Sequence, residues 1–157
     1  MKVGKVSESV LKRSVLKQIT NQNKEVKNGA GIGEDCAVFA QKNGYTVQSV
    51  QTFFVTSPSE VYVPIMKAVN GIAVRGAHPV AVLLTLLLPA DTEESFLREL
   101  MKKANEAAGI LHIQIAGGHT EVSENCSVPY VTATAIGSVG GEALFENHIR
   151  PGQDIVL

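Results

Sequence analysis

The feature that most constrains this chain is the glycine-rich segment at residues 29–39 (GAGIGEDCAVF), where a loop almost without side chains must lead into a strand. Three alternate glycines leave backbone N–H groups unshielded and permit positive φ angles. The acids Glu34 and Asp35 follow, and an apolar run begins at Cys36. Such a loop could hold a Mg²⁺–phosphate group, with the carboxylate of Asp35 on the metal and the amides on the phosphate. An ordinary glycine turn with solvated acids is the alternative.

Two common nucleotide motifs are excluded at this segment. The phosphate loop G-x-x-x-x-G-K-[ST] requires a lysine after the last glycine, and none follows here. The dinucleotide fingerprint requires a preceding strand and a following helix, whereas these glycines precede a strand. Any phosphate site at residues 29–39 must therefore be of another type.

Length and composition indicate one domain with an aliphatic core. The 157 residues are 45% hydrophobic but 5% aromatic, and the formal net charge is −1. With this net charge, the chain as a whole has no positive electrostatic potential that would attract nucleic acid or acidic lipid. The excess of basic residues in residues 1–28 is interpreted as the solvated face of a helix. The most apolar run, residues 80–88, is too short to span a bilayer. Cys36 and Cys126 have no zinc-type spacing, so we expect a cytoplasmic protein with reduced thiols.

The order of elements predicted from periodicity is helix, β-hairpin, helix, strand, helix, strand, strand. Residues 20–28 are predicted to be a polar connection, and Asp91 with Glu94 a capping box for the third helix, which Gly109 ends. A short strand is expected at residues 110–116, followed by a turn at residues 117–121. The remaining predicted elements are a first helix from Ser7, a hairpin over 36–41 and 45–53, a helix over 60–75, and strands over 80–88 and 128–139.

These elements make an α+β domain with helices on one face of a mixed sheet. The other face needs a cover. A second sheet from another subunit would supply it, closing a barrel across a dimer interface and removing exposed edges. We therefore predict a homodimer and expect no nucleic-acid or membrane partner.

Three segments together resemble one protein family. Residues 31–38 (GIGEDCAV) look like the G-x-G-[DE]-D-[AC]-A-[VI] motif of the aminoimidazole ribonucleotide (AIR) synthase superfamily. Residues 68–79 (AVNGIAVRGAHP) are similar to its N-D-[IL]-A-x-x-G-A-x-P helix end, and residues 116–121 (AGGHTE) to its [AG]-G-[DEH]-T loop. The superfamily includes AIR synthase, hydrogenase-maturation carbamoyl-dehydratase-like proteins, selenophosphate synthetase and thiamine-monophosphate kinase. The resemblance covers the family's N-terminal half, as a domain over residues 1–150 with the start of a linker at residues 151–157.

The resemblance implies an ATP-binding dimer with N-terminal domains paired through a shared β-barrel and Mg²⁺-ATP in a groove at their interface. Asp35 matches a metal carboxylate of the family, and the His form of the third motif is found in the AIR synthase-related and hydrogenase-maturation-like branch. The nucleotide-binding residues that the resemblance implies are Gly31, Gly33, Asp35, Asn70, Gly117, Gly118, His119 and Thr120.

Two positions depart from the family pattern. The aspartate of the return strand is Gln51, and the aspartate after Asn70 is Gly71, which we interpret as a lost ligand position. An amide and a glycine cannot replace two anionic ligands of a hard cation, so binding of ATP and Mg²⁺ should be weak or lost. His119 also has the simpler interpretation of an ordinary loop residue, and Cys36 that of a small core residue without a basic neighbour.

Two functional interpretations stay open. In the first, the chain is the ATP-binding and dimerisation domain of a hydrogenase-maturation-factor-like protein, not catalytic alone, with a C-terminal domain or a maturation partner protein. In the second, it is a stand-alone degenerate relative that serves as a non-catalytic dimeric binding or assembly module.

Overall fold

A computed structural model describes residues 2–145 and 150–154 of the chain. Within them lie three α-helices, six strands and three short 3₁₀ helices. Of the predicted linker start at residues 151–157, residues 155–157 lie outside the described part. In chain order the elements are α1 (Glu8–Ser14), η1 (Leu16–Gln18), β1 (Val26–Asn28), β2 (Ala37–Gln41), β3 (Gly44–Phe54), η2 (Pro58–Val61), α2 (Tyr62–Ala73), β4 (His78–Leu88), α3 (Glu94–Ile110), β5 (Gln114–Val122), β6 (Tyr130–Val139) and η3 (Gly141–Ala143).

The six strands form one mixed sheet in the order β1-β2-β3-β6-β4-β5. Strands β4 and β5 pair in parallel and every other neighbouring pair is antiparallel. The predicted hairpin is confirmed, because β2 and β3 are joined by the two residues Lys42 and Asn43. The predicted α+β class with a mixed sheet is confirmed as well.

Helices α2 and α3 cover one face of this sheet. Alternate residues of the long strands point to that face, as the two-residue period of a strand requires. Helix α2 lies against β3 and β6, and α3 packs against η2, α2 and β5. One continuous core results, in which the largest fully buried side chains include Ile65, Ile72, Leu86, Leu88 and Leu100.

None of the helices in the described ranges packs on the opposite face of the sheet, which is called the open face below. Its apolar side chains include Val50, 58% exposed, and Phe54, 56% exposed. A row of hydroxyls crosses it, since Thr52 pairs with Thr132 and Thr132 with Thr85 across adjacent strands. The hydroxyl oxygens of Thr52 and Thr132 are 2.9 Å apart. Among the described strands the sheet is open, with β1 and β5 at its edges, so one chain does not form a barrel.

Strand β5 is the main correction to the sequence-based prediction. Residues 117–121 do not turn the chain; they continue an edge strand parallel to β4, with Thr85 opposite His119. The two glycines permit this pairing rather than a turn. At Gly118 the main chain passes so close to β4 that an added Cβ would lie 1.8 Å from the carbonyl oxygen of Leu84.

Smaller differences concern the ends of elements. A short strand, β1, lies inside the segment predicted to be a polar connection. Helix α3 continues through Gly109 to Ile110, so the strand expected from residue 110 begins at Gln114. The residue that caps α3 is Glu93, without a side-chain capping bond, so the capping box predicted from Asp91 is wrong. The first helix is likewise interrupted at Val15, and α1 buries no residue. Of the helices in the described part, none has the length and apolarity to cross a bilayer.

Candidate functional site

The glycine loop, defined here as residues 29–36, lies beside the free flank of β3. Strand β2 ends its pairing with β3 at Gln48, so the later residues of β3 have no strand on that side among those described. The loop occupies this space, and the hydroxyl of Ser49 donates a 3.0 Å hydrogen bond to the carbonyl oxygen of Asp35. Gly33 has a φ of 78°, the left-handed conformation that glycine adopts readily.

A cavity of about 340 Å³ opens between this loop and the open face of the sheet. Asp35 lies at its margin with an exposed side chain. The cavity is therefore bordered by one carboxylate and by the main chain of a loop with small side chains. Its lining residues are Gly29, Ala30, Glu34, Asp35, Cys36, Ala37, Gln48, Ser49, Val50 and Thr134.

Helix α2 approaches the same loop from the other side. A Cβ added at Gly71 would lie 2.3 Å from the hydroxyl oxygen of Ser49 and 3.9 Å from the carbonyl oxygen of Asp35. Asn70, the predicted nucleotide ligand, precedes this glycine and is exposed. Gln51 lies two residues along β3 from Ser49, on the same strand face. Positions 35 and 71 therefore lie close together at Ser49, and position 51 follows Ser49 by two residues on the same strand face. These three positions hold a carboxylate, a glycine and an amide.

This donor set fits a phosphate better than a tightly held divalent cation. Magnesium prefers carboxylate and phosphate oxygens in octahedral geometry. Among the described residues, no group of three or more His, Cys, Asp or Glu side chains is placed to hold a metal ion. Asp35 alone could contribute an anionic oxygen to a cation bound with phosphate.

A buried ion pair that the sequence analysis missed supports the loop. The guanidinium Nη2 of Arg75 donates to the carboxylate of Glu34, and the two side chains are 7% and 23% exposed. The side-chain amide of Asn28 donates a second hydrogen bond to Glu34, of 2.7 Å. The sequence signal was a charged residue just after the end of a mainly apolar helix, and this does not identify its distant partner. Glu34 is thus a structural residue of the loop, held from two sides.

Cys36 does have a basic neighbour, contrary to the sequence-based interpretation. Burial raises the pKa of the Cys36 thiol, although Arg75 opposes that rise by hydrogen bonding and charge. Burial by itself would lower the pKa of the Arg75 guanidinium, but the hydrogen bond to Cys36 and the charge of Glu34 raise it above its ordinary value. The thiol is therefore protonated at neutral pH and the guanidinium is charged.

The second group of predicted site residues lies elsewhere on the sheet. Gly117, Gly118, His119 and Thr120 belong to β5 and line a separate cavity of about 370 Å³ beside Met101 of α3. Strands β6 and β4 separate β3 from β5, which at the usual strand spacing is about 14 Å. His119 Nε2 lies 3.2 Å from Glu121, and both side chains are exposed. One chain therefore does not bring the β5 group and Asp35 into a common cavity.

Comparisons with known proteins agree on a family. A family model described as "AIR synthase related protein, N-terminal domain" matches residues 33–139. A putative hydrogenase expression/formation protein of Methanocaldococcus jannaschii is 26% identical over 166 residues, covering 98% of this chain and 48% of the relative. The thiamine-monophosphate kinase of Bacillus subtilis (strain 168) is 29% identical over 138 residues, covering 81% and 42%. The chain spans about half the length of these curated relatives.

Solved structures share the fold at low identity. A protein from Thermus thermophilus has a TM-score of 0.74 at 21% identity, covering 94% of this chain and 49% of its own. The hydrogenase maturation protein HypE in complex with ATP has a TM-score of 0.61 at 18% identity, covering 96% and 45%. A chain of the HypE–HypF complex has a TM-score of 0.64 at 21% identity, covering 85% and 44%. At these identities the likeness shows a common fold.

Proposed function

This chain belongs to the AIR synthase related protein N-terminal domain family, and we propose that it is the ATP-binding and dimerisation domain of a hydrogenase-maturation-factor-like protein, not catalytic alone. One observation carries the proposal. The glycine loop and Asp35 border a cavity on the open face of the sheet. On the helix-covered side of the same loop, α2 carries Gly71 and β3 carries Gln51 at positions where the family pattern has carboxylates.

The proposed task of the glycine loop is to bind phosphate through its main chain. Its glycines allow close approach, and neutral amide donors to a charged acceptor contribute about 1.5–3 kcal/mol each. Asp35 would hold a magnesium ion that arrives with the nucleotide, and that ion would neutralise phosphate charge. HypE, a protein of the same fold, has been crystallised in complex with ATP, which supports this choice of ligand.

The lack of further carboxylates is the reason to propose binding without catalysis. Phosphoryl transfer depends on metal ions that neutralise the developing charge. Gln51 is a weaker ligand than a carboxylate, and Gly71 offers no side chain. We therefore propose weak, magnesium-assisted nucleotide binding and no useful hydrolysis by this domain alone.

The open face of the sheet supports a homodimer, which we propose to form in the cytoplasm. Apolar side chains such as Val50 and Phe54 are more than half exposed there. A second copy covering this face would remove them from water, and its sheet edges would pair. It would also bring the β5 residues Gly117–Thr120 of one copy toward a groove shared with the other, where Asn70, Gly31 and Gly33 complete the proposed nucleotide site.

A partner protein or a C-terminal domain would supply the remaining function. HypE is found in a complex with HypF, so assembly with a maturation partner has a precedent within the fold. The alternative, a non-catalytic assembly module that no longer binds nucleotide, is favoured by Gly71 alone. Its backbone packs against Ser49 so closely that a side chain there would need the strand to move.

The test is a ¹H–¹⁵N NMR titration with ATP, with and without Mg²⁺. We expect shifts of the Gly31 and Gly33 amides and a dissociation constant nearer millimolar than micromolar. Asp35→Asn should remove the effect of Mg²⁺ but keep the weak metal-free shifts, and the exposed Asp91→Asn is the matched control. If ATP shifts no loop amide under either condition, the proposal is wrong and the assembly module stands.

A further inference from the structure

We infer that Arg75 is a positioning residue that couples the glycine loop to the exit segment, defined here as residues 141–145. A ligand on the loop would then change the exit segment, and a change in the exit segment would alter the loop. The coupling itself rests on contacts within the chain. The identity of the ligand, a nucleotide with magnesium, rests on the proposed function above.

The first half of the connection is the ion pair between Arg75 and Glu34. Both side chains are largely removed from water. Separating the two charges would leave each of them buried and unpaired, at a large cost in free energy. Asn28 holds the same carboxylate from the β1 side, so Glu34 has a fixed position relative to the sheet. The loop backbone at residue 34 is therefore located by Arg75.

The second half joins Arg75 to Phe145. The guanidinium Nη1 donates a 3.1 Å hydrogen bond to the carbonyl oxygen of Phe145. The backbone N–H of Phe145 in turn donates a 3.0 Å bond to the carbonyl oxygen of Arg75. These reciprocal bonds attach the exit segment to the end of α2, while the ring of Phe145 remains 63% exposed.

Guanidinium geometry makes these two contacts dependent on each other. The group is planar and rigid, so Nη1 and Nη2 cannot be reoriented independently. If an anionic phosphate on the loop repels the Glu34 carboxylate and shifts it, the guanidinium must follow it or remain buried and unpaired. Either response disturbs the bond to Phe145. By linkage, whatever fixes the exit segment affects the loop by the same factor.

The first experiment measures amide hydrogen exchange by NMR in Glu34→Gln, without any nucleotide. This isosteric change removes the charge that holds Nη2, and we expect exchange of the Phe145 amide to accelerate at least tenfold. Amides of β3 and β6 should keep their wild-type rates. The matched control is Glu94→Gln, which removes the partner of Arg98 in an exposed pair with side chains 75% and 82% exposed. Unchanged exchange at Phe145, or equal acceleration throughout the sheet, would overturn the inference.

The second experiment adds ATP and Mg²⁺ to the wild type and to Arg75→Lys. Lysine keeps the charge but cannot bond Glu34 and Phe145 in a fork. In the wild type we expect the rate of amide hydrogen exchange at Phe145 to change at least threefold when the nucleotide site is saturated. In Arg75→Lys we expect the chemical shifts of the loop amides to respond to ATP, without a change in exchange at Phe145. A response at Phe145 that persists in Arg75→Lys contradicts coupling through Arg75. If ATP does not bind at all, the proposed function fails while the Glu34→Gln result still decides the coupling.

Discussion

Gly71 has a packing role that the sequence alone does not reveal. A glycine inside a helix costs about 1 kcal/mol relative to alanine, which suggested a ligand position that had lost its side chain. The structure supplies a different reason, since α2 crosses β3 at Ser49 with no space for a Cβ. The glycine therefore permits close helix–sheet packing. Replacing it with aspartate would strain the packing as well as add a ligand.

We expect Gly71→Ala to destabilise the domain despite the better helix propensity of alanine. Its Cβ would lie 2.3 Å from the Ser49 hydroxyl, and overpacking of this kind costs about 1–3 kcal/mol. Gly109→Ala in α3 is the control, because a Cβ there meets nothing within 4 Å and should stabilise by up to about 1 kcal/mol. Urea unfolding of both variants measures the difference. Equal stabilisation by the two alanines would contradict this account of Gly71.

At this scale the sequence located residues through their local pattern, but it did not reveal residues whose partners are distant in the chain. Gly33 and Asp35 were identified by their place in a loop before a strand. The pair Glu34–Arg75 was missed because 41 positions separate its members, and neither periodicity nor a short motif reports which charges meet in the fold. Burial of Arg75 is a property of the assembled domain.

At the scale of the elements, most helices and strands followed from hydrophobic period. Strand β5 did not, because two adjacent glycines indicate a turn more often than a strand. Parallel pairing with β4 determines the conformation of β5, and the whole of α3 separates these two strands in the sequence. Strand β1 was missed for a related reason, since its three residues are too few to show a periodic pattern and only pairing with β2 defines it.

The entry to α2 offers a prediction about pH. Glu60 accepts backbone hydrogen bonds from Thr56, of 2.5 Å, and Ser57, of 3.2 Å, which lower the pKa of its carboxyl from the ordinary 4.5. A lowered folded pKa contributes stability above pH 4.5 that is lost as the pH falls through the folded value. We expect Glu60→Gln to lower Tm by a few degrees at pH 7, with the deficit shrinking toward zero in acid.

Thermal melts at several pH values between about 7 and 3 measure this dependence. Glu124→Gln is the control, because Glu124 is exposed and makes no hydrogen bond to other described residues. A deficit for Glu60→Gln that is constant across this range would show that the hydrogen bonds from Thr56 and Ser57 do not depend on the charge.

At the scale of the whole molecule, the sequence indicated the layers but not how the site is completed. Helices on one face and an uncovered opposite face were both expected and are both present. The separation of Asp35 from the β5 group could not be predicted, since it depends on β6 entering the sheet between β3 and β4. Strand order is decided by long-range pairing, which leaves no local mark in the sequence.

We expect the wild type to be a dimer of about twice 16.7 kDa by light scattering at micromolar concentration. Val50→Lys with Leu83→Lys should give a folded monomer, because both residues lie on the open face in one cross-strand row with Thr134. Ile110→Lys, at the 67% exposed end of α3, should remain dimeric. A monomeric wild type would rule out pairing through this face.

The threonine row on the open face affects how a second surface can be aligned when it covers that face. A uniformly apolar surface accepts a covering layer at many offsets, since burial of area has no preferred alignment. The Thr52–Thr132 hydrogen bond uses only one of the two hydroxyl donors of that pair. The remaining donor and the Thr85 hydroxyl limit the offsets, because a covering surface shifted by one residue would bury them without hydrogen-bond partners. The threonine row therefore determines how a covering surface can be aligned with the sheet. It penalises wrong offsets more than it rewards the right one, and so favours a single arrangement of whatever surface lies on that face.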